Sequence, residues 1–205
     1  MQDMRGRWTR TGRNAAAWSV AAGYALLACL ATALALALRD GAPWMYPDPW
    51  LGLTPLVGTL ASALSGIILA TILVATTRFA VGRFAWARRL HGELRPVAKD
   101  LSVGQILILA GLSSLGEEIL FRGLLTPVIG VLGSGVLFGL LHQMRGPSRW
   151  VWTTWATAVG LILGAIFAAT GSLLGPLLAH AIVNAVNLGY LRDHDPGNDP
   201  EQNLA

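Results

Sequence analysis

An all-α, polytopic transmembrane bundle with a polar intramembrane cavity is the fold class this sequence predicts, and three observations predict it. The 205 residues are 54% hydrophobic and only 13% charged, with a mean hydropathy of +0.55, an apolar excess beyond what a soluble core holds. About six apolar segments follow one another with turn signals between them. Inside one of them lies Gly116-Glu117-Glu118-Ile119-Leu120-Phe121-Arg122, whose three charges are the only ones between Asp100 and Arg145. An ionised side chain in hydrocarbon costs several kcal/mol, so such a cluster marks function by default.

Residues 1–14 hold Arg5, Arg7, Arg10 and Arg13 against a single acid, Asp3, which keeps that end cytoplasmic. Ala15 to Leu38 is uncharged and, at about 1.5 Å per residue, spans the roughly 30 Å hydrocarbon layer; its length argues against a cleaved signal peptide. Cys29, the single cysteine, has no internal disulfide partner and reads as packing. From Arg39 to Trp50, Pro43, Pro47 and Pro49 with Asp40 and Asp48 stop the helix, and Trp44, Tyr46 and Trp50 fit an interfacial belt.

Leu51 to Thr77 returns across the bilayer. Arg78 to Asp100 then carries Arg78, Arg83, Arg88, Arg89, Arg95 and Lys99, a positive block that belongs in the cytoplasm and agrees with two crossings. Its apolar residues make no clean helical stripe, so an interfacial helix there is left open. Leu101 to about Ile129 predicts one long helix, Gly130 to Gly135 a turn, and Ser134 to Met144 a short fourth segment ended by Gly146-Pro147. Trp150, Trp152 and Trp155 mark an interface, Val151 to Ala169 spans, Thr170 to Gly175 turns, and Pro176 to Leu191 makes the last helix. Asp193, Asp195, Asp199 and Glu201 read as a solvated acidic tail. The whole is one integral membrane domain, 1–205, with N-terminal helices and a basic loop in 1–100, a motif-bearing core in 101–191 and the tail in 192–205. Both termini fall in the cytoplasm, and the positive charge reads as orientation in a lipid bilayer and not as a nucleic-acid surface. Fourteen Arg against one Lys, with abundant Ala and Gly, suggest a GC-rich bacterial source and so an inner membrane.

Counting residues from the turns tests which polar groups can meet. Glu117 lies about fourteen residues before the turn near Val131 and His142 about eleven after it, within a helical turn of the same depth. His180, about eight residues past the turn near Ser172, falls in the same layer, and Asn184, four residues on, shares its face. Glu118 and Arg122, four apart with the acid first, form a favourable helical pair, which leaves Glu117 without a local partner. A desolvated carboxylate can act as a base on water, and facing histidines can position that water, donate to an oxyanion or bind a metal.

Glu117-Glu118-x-x-x-Arg122, Phe138-x-x-x-His142 and His180-x-x-x-Asn184 resemble the three ordered motifs of the CAAX prenyl protease and bacteriocin-processing (CPBP, Abi) family of intramembrane endopeptidases. The resemblance covers Leu101 to about Leu191 with no motif position substituted, and it implies peptide-bond hydrolysis in a helical bundle. Glu117 would be the general base for water and His142 would help to hold it. His180 and Asn184 would stabilise the oxyanion, and Glu118 with Arg122 would hold the helix. Phe138 reads as packing. Glu117, His142 and His180 are also a conceivable zinc set, so a divalent metal stays open, although there is no His-Glu-x-x-His; a metal-free glutamate mechanism that requires no cofactor is preferred. The substrate would be a membrane protein or peptide, whether a prenylated tail, a bacteriocin leader or a C-terminal sorting signal. A non-catalytic immunity or peptide-binding scaffold would keep the same cavity, whereas a proton-coupled transporter would show inverted repeats, which this sequence lacks. Oligomeric state is not legible.

Overall fold

The structure, a computed structural model, describes residues 2–39 and 41–196, with side chains from residue 15 onward. Arg5, Arg7, Arg10, Arg13, Asp40, Asp199 and Glu201, which enter the reading of the termini and the first loop, lie outside those described side chains. Helices α1 (Gln2–Leu38), α2 (Pro55–Arg83), α3 (Ala85–Leu94), α4 (Val103–Glu118), α5 (Thr126–Leu141), α6 (Arg149–Thr170) and α7 (Leu174–Asp193) follow in order. A single turn of 3₁₀ helix (Arg95–Val97) follows α3, and a π-helical stretch (Ile119–Leu125) joins α4 to α5. Among the described residues there is no strand, only an isolated bridge between Met45 and Ser172.

Among the described residues, five helical stretches are long and apolar enough to cross a membrane: Ala15–Leu38, Pro55–Arg83, Val103–Leu141, Arg149–Thr170 and Leu174–Asp193. The surfaces agree with a lipid environment. On α1, Ala21, Ala28, Ala31 and Ala35 are buried while Leu26, Leu30 and Leu34 face outward. Small residues let helix backbones approach where lipid offers no hydrophobic drive for association. The chain is an integral membrane protein.

The third stretch is not one rod. Gly130 has φ 75° and ψ 170°, a conformation essentially reserved for glycine, and there the chain doubles back. The Phe121 and Phe138 rings, seventeen residues apart, stand 5.0 Å centroid to centroid, and Thr126 Oγ1 is 2.8 Å from Ser134 Oγ. A continuous helix would hold residues so far apart in sequence about 25 Å apart. The predicted fourth segment is therefore the returning arm, Val131 to Leu141, ending three residues earlier than expected. The long helix begins at Val103, where Ser102 and Gln105 make a reciprocal capping box, and it is interrupted by the π stretch that the sequence reading lacked.

Close contacts through small residues set the rest. Gly58, Ser62 and Gly66 recur every four residues on α2, and a Cβ on Gly66 would run into the Gly175 backbone. Ser62 Oγ donates to the Ser172 carbonyl at 2.7 Å and accepts from Gly175 N at 2.9 Å. The proline-rich loop after α1 covers the α6–α7 turn, with Tyr46 N donating to Gly171 O and Leu173 N to Trp44 O. Tyr46, expected in the interfacial belt, packs edge-on against buried Phe167 at 5.5 Å. The start of the tail is likewise anchored rather than simply solvated. His91 Nε2 donates to the His194 carbonyl at 2.9 Å, and Arg95 pairs with Asp195 at 3.3 Å. These bonds tie α3, the helix left open in the basic block, to the end of α7.

Candidate active site

Three helices that meet beside the hairpin bring the motif residues together. Glu117 is the last residue but one of α4, His142 follows α5 directly, and His180 lies in the second turn of α7. All three line one cavity of about 840 Å³, shared with Asn184 and Phe138 and rimmed by Trp86, Leu90 and His91 of α3. The depth count is thus met in space.

Glu117 Oε2 is 3.5 Å from His142 Nε2 and 3.7 Å from His180 Nε2. That oxygen is buried and makes no hydrogen bond within the protein. Each imidazole is fixed from behind. His142 Nδ1 is 2.8 Å from the Phe138 carbonyl, and His180 Nδ1 is 2.7 Å from Glu118 Oε1. A carbonyl or carboxylate oxygen only accepts, so both Nδ1 atoms carry hydrogen and both Nε2 atoms of neutral rings present lone pairs to the cavity. A proton added to either ring converts its Nε2 into a donor.

Behind this layer, Arg122 Nη1 donates to Glu118 Oε1 at 2.9 Å and Nη2 to the Gly160 carbonyl at 3.1 Å. Its guanidinium also lies 4.4 Å from the centroid of the Phe138 ring. Glu118 and Arg122 are essentially without solvent exposure and do not line the cavity. The predicted ion pair therefore exists, and its acid has a second duty, orienting His180, that spacing along one helix could not reveal. Phe138 packs as expected, against Phe121, His142 and His180. Asn184 Nδ2 donates to Ser113 Oγ at 3.1 Å, which leaves its second N–H for the cavity.

Sequence reasoning missed Ser113, one turn before Glu117 on the same helix face, and Tyr24 of α1. Tyr24 lines the same cavity from α1. Serine at i−4 to a site glutamate is a readable signal; a tyrosine ninety residues away is not. Among the described residues no group of three or more His, Cys, Asp or Glu that could hold a metal ion is found.

The fold and this centre define a polytopic helical membrane protein with a carboxylate flanked by two oriented imidazoles. Residues 99–186 match the family model described as "Rce1-like: Type II CAAX prenyl endopeptidase Rce1-like", a family of endopeptidases, so the resemblance carried by the three motifs holds over the helices that build the site. The chain is also similar to the "Uncharacterized protein YpbD" of Bacillus subtilis (strain 168), 38% identical over 95 residues, which are 46% of this chain and 50% of that protein. The chain thus matches about half the length of that curated relative. No solved structure matches.

Proposed function

We propose that this protein is an intramembrane endopeptidase that hydrolyses a peptide bond of a membrane-associated protein or peptide with a glutamate-activated water. The observation that carries this reading is the meeting of His142 Nε2 and His180 Nε2 on one buried oxygen of Glu117, 3.5 and 3.7 Å away, with both rings locked through Nδ1. A single water can stand within hydrogen-bond distance of all three atoms.

In this mechanism the water donates one hydrogen bond to Glu117 Oε2 and the other to neutral His142 Nε2. Glu117 takes the proton as the water oxygen attacks the carbonyl carbon. The oxyanion accepts from Asn184 Nδ2 and from His180 Nε2–H, the latter in its imidazolium form with Glu118 as counter-charge. The C–N bond then breaks, and Glu117 returns its proton to the leaving amine, which restores the carboxylate. Arg122 acts through Glu118 and touches no reacting atom. No metal enters any step, and the preferred orientation is a bacterial inner membrane with the N-terminus and the basic block on the cytoplasmic side.

The test uses the full chain reconstituted in lipid vesicles with a panel of membrane peptides. Hydrolysis is expected to survive a divalent-metal chelator and to fall by about 10²–10⁴ in Glu117→Gln, with about 10²–10³ lost in Asn184→Ala. Cleavage abolished by the chelator and restored by zinc would replace the metal-free mechanism. Unchanged cleavage in Glu117→Gln would remove Glu117 as the base.

A further inference from the structure

Two buried oxygens in the cavity wall have no hydrogen-bond partner, and the mechanism uses one of them. Among the described residues, several buried side-chain atoms are unpartnered, and those on residues that line the cavity are Glu117 Oε2 and Asn187 Oδ1. The first is the base of the proposed reaction. We propose that Asn187 is a substrate-binding residue whose side-chain carbonyl accepts a backbone N–H from an extended peptide segment beside the scissile bond. The assignment rests on the hydrolytic reading of the same cavity. It goes beyond that reading, because Asn187 belongs to none of the three motifs and lies just outside the residues 99–186 that match the family model.

Helix α7 sets the position. His180, Asn184 and Asn187 follow at steps of four and three residues, which puts them within about 60° of one another around a helix of about 3.6 residues per turn. All three line the cavity. At about 1.5 Å per residue, Asn187 stands about 4.5 Å beyond Asn184 and about 10.5 Å beyond His180 along the axis. An extended chain advances about 3.4 Å per residue, so a substrate whose scissile carbonyl meets Asn184 and His180 passes Asn187 about one to three residues further on. The cavity continues that way, lined by Leu188 and Leu191 of α7 and by Leu90 and Leu94 of α3.

Asn187 differs from its neighbours in that its carbonyl is not held. His142 and His180 are bonded through Nδ1, and Asn184 donates to Ser113. The Asn187 oxygen has no such bond, and a carboxamide turns about a broad terminal torsion. Folded proteins rarely leave a buried acceptor unanswered. A peptide supplies the missing donor, because each backbone unit except proline carries one N–H. The segment read in this way is extended, since a helical substrate spends its N–H groups on its own carbonyls, and it has no proline at the position read.

Backbone ester scanning tests the assignment. Single-spanning synthetic peptides with an extended tail are offered to the full chain in lipid vesicles, each with one backbone amide replaced by an ester, which removes that N–H and keeps the side chains. Binding is measured in Glu117→Gln, so the result does not depend on hydrolysis. One ester position is expected to weaken binding by about three- to tenfold, and to cost nothing once Asn187→Ala is added. Proline at that position is expected to act as the ester does. An ester profile that Asn187→Ala leaves unchanged overturns the proposal, and so does a flat profile in both proteins. Stability supplies a second test. An amide with an unpaired oxygen lends the fold little, so Asn187→Leu is expected to leave the denaturation midpoint unchanged or raised. A lowered midpoint in both Asn187→Leu and Asn187→Ala would assign the amide to the fold and would also overturn the proposal. Ester-sensitive binding in Glu117→Gln with no cleavage by the wild type would refute hydrolysis and leave Asn187 in its role, whereas cleavage with an Asn187-independent profile would strike Asn187 alone.

Discussion

Arg122 is tied to the candidate site through Glu118 without reaching the cavity. Its charge is buried, shared between Glu118 and a backbone carbonyl, and Glu118 in turn holds His180. Removing one member of a buried ion pair strands the other, at a cost of about 3–5 kcal/mol, whereas replacing both by apolar residues is often neutral. Arg122→Ala is therefore expected to lower stability by about that amount in a denaturation series in mixed micelles. The double variant Glu118→Leu with Arg122→Met is expected to recover most of it while hydrolysis stays lost, because His180 Nδ1 no longer has its acceptor. Recovery of activity along with stability would show that Glu118 serves only the fold. The pair itself was legible as acid and base four residues apart on one helix. The link to His180 was not, since it depends on the rotation of α7 against α4.

At the scale of elements, the hairpin within Val103–Leu141 places everything else, and glycine makes it. Gly130 sits at positive φ with nothing within 4 Å of where a Cβ would be, so any penalty for a side chain there comes from backbone strain and not from crowding. Gly130→Ala is expected to cost about 1–3 kcal/mol. Gly111 on α4 also has open space around it, but without a positive φ, and Gly111→Ala is expected to be neutral or to stabilise by up to about 1 kcal/mol. Equal effects at the two positions, measured in the same micelles, would contradict the strained turn. The turn itself could be read from a glycine cluster in an apolar run. The π stretch beside it could not, because Ile119–Leu125 has no proline or residue pair that announces it; it is disclosed by the backbone N–H of Thr126 bonding the Phe121 carbonyl five residues earlier, an oxygen that also accepts from Thr126 Oγ1 at 2.8 Å. Interruptions of this kind gather at functional sites, and this one follows the Glu117-Glu118 pair directly.

For the molecule as a whole, the region before residue 100 does more than cross the membrane. Helix α1 brings Tyr24 to the cavity wall, α2 packs against α7 through Ser62 and Gly175, and α3 forms one rim of the cavity, held to the start of α6 by Glu93 bonding Ser148 and to the end of α7 by His91 and Arg95. We propose that the two regions act as one domain. Depth counting could bring Glu117, His142 and His180 together because it needs only the positions of turns. It could not find Tyr24 or the place of α3, because which side of a lipid-facing helix turns inward is decided by small residues on its partners. The most direct measurement compares peptide termini in membranes from cells producing the wild-type chain or Glu117→Gln at matched levels. New termini present only with the wild type are the predicted result and would reveal the substrate as well. Identical profiles, with a wild-type phenotype such as peptide resistance surviving in Glu117→Gln, would contradict hydrolysis and leave a peptide-binding scaffold.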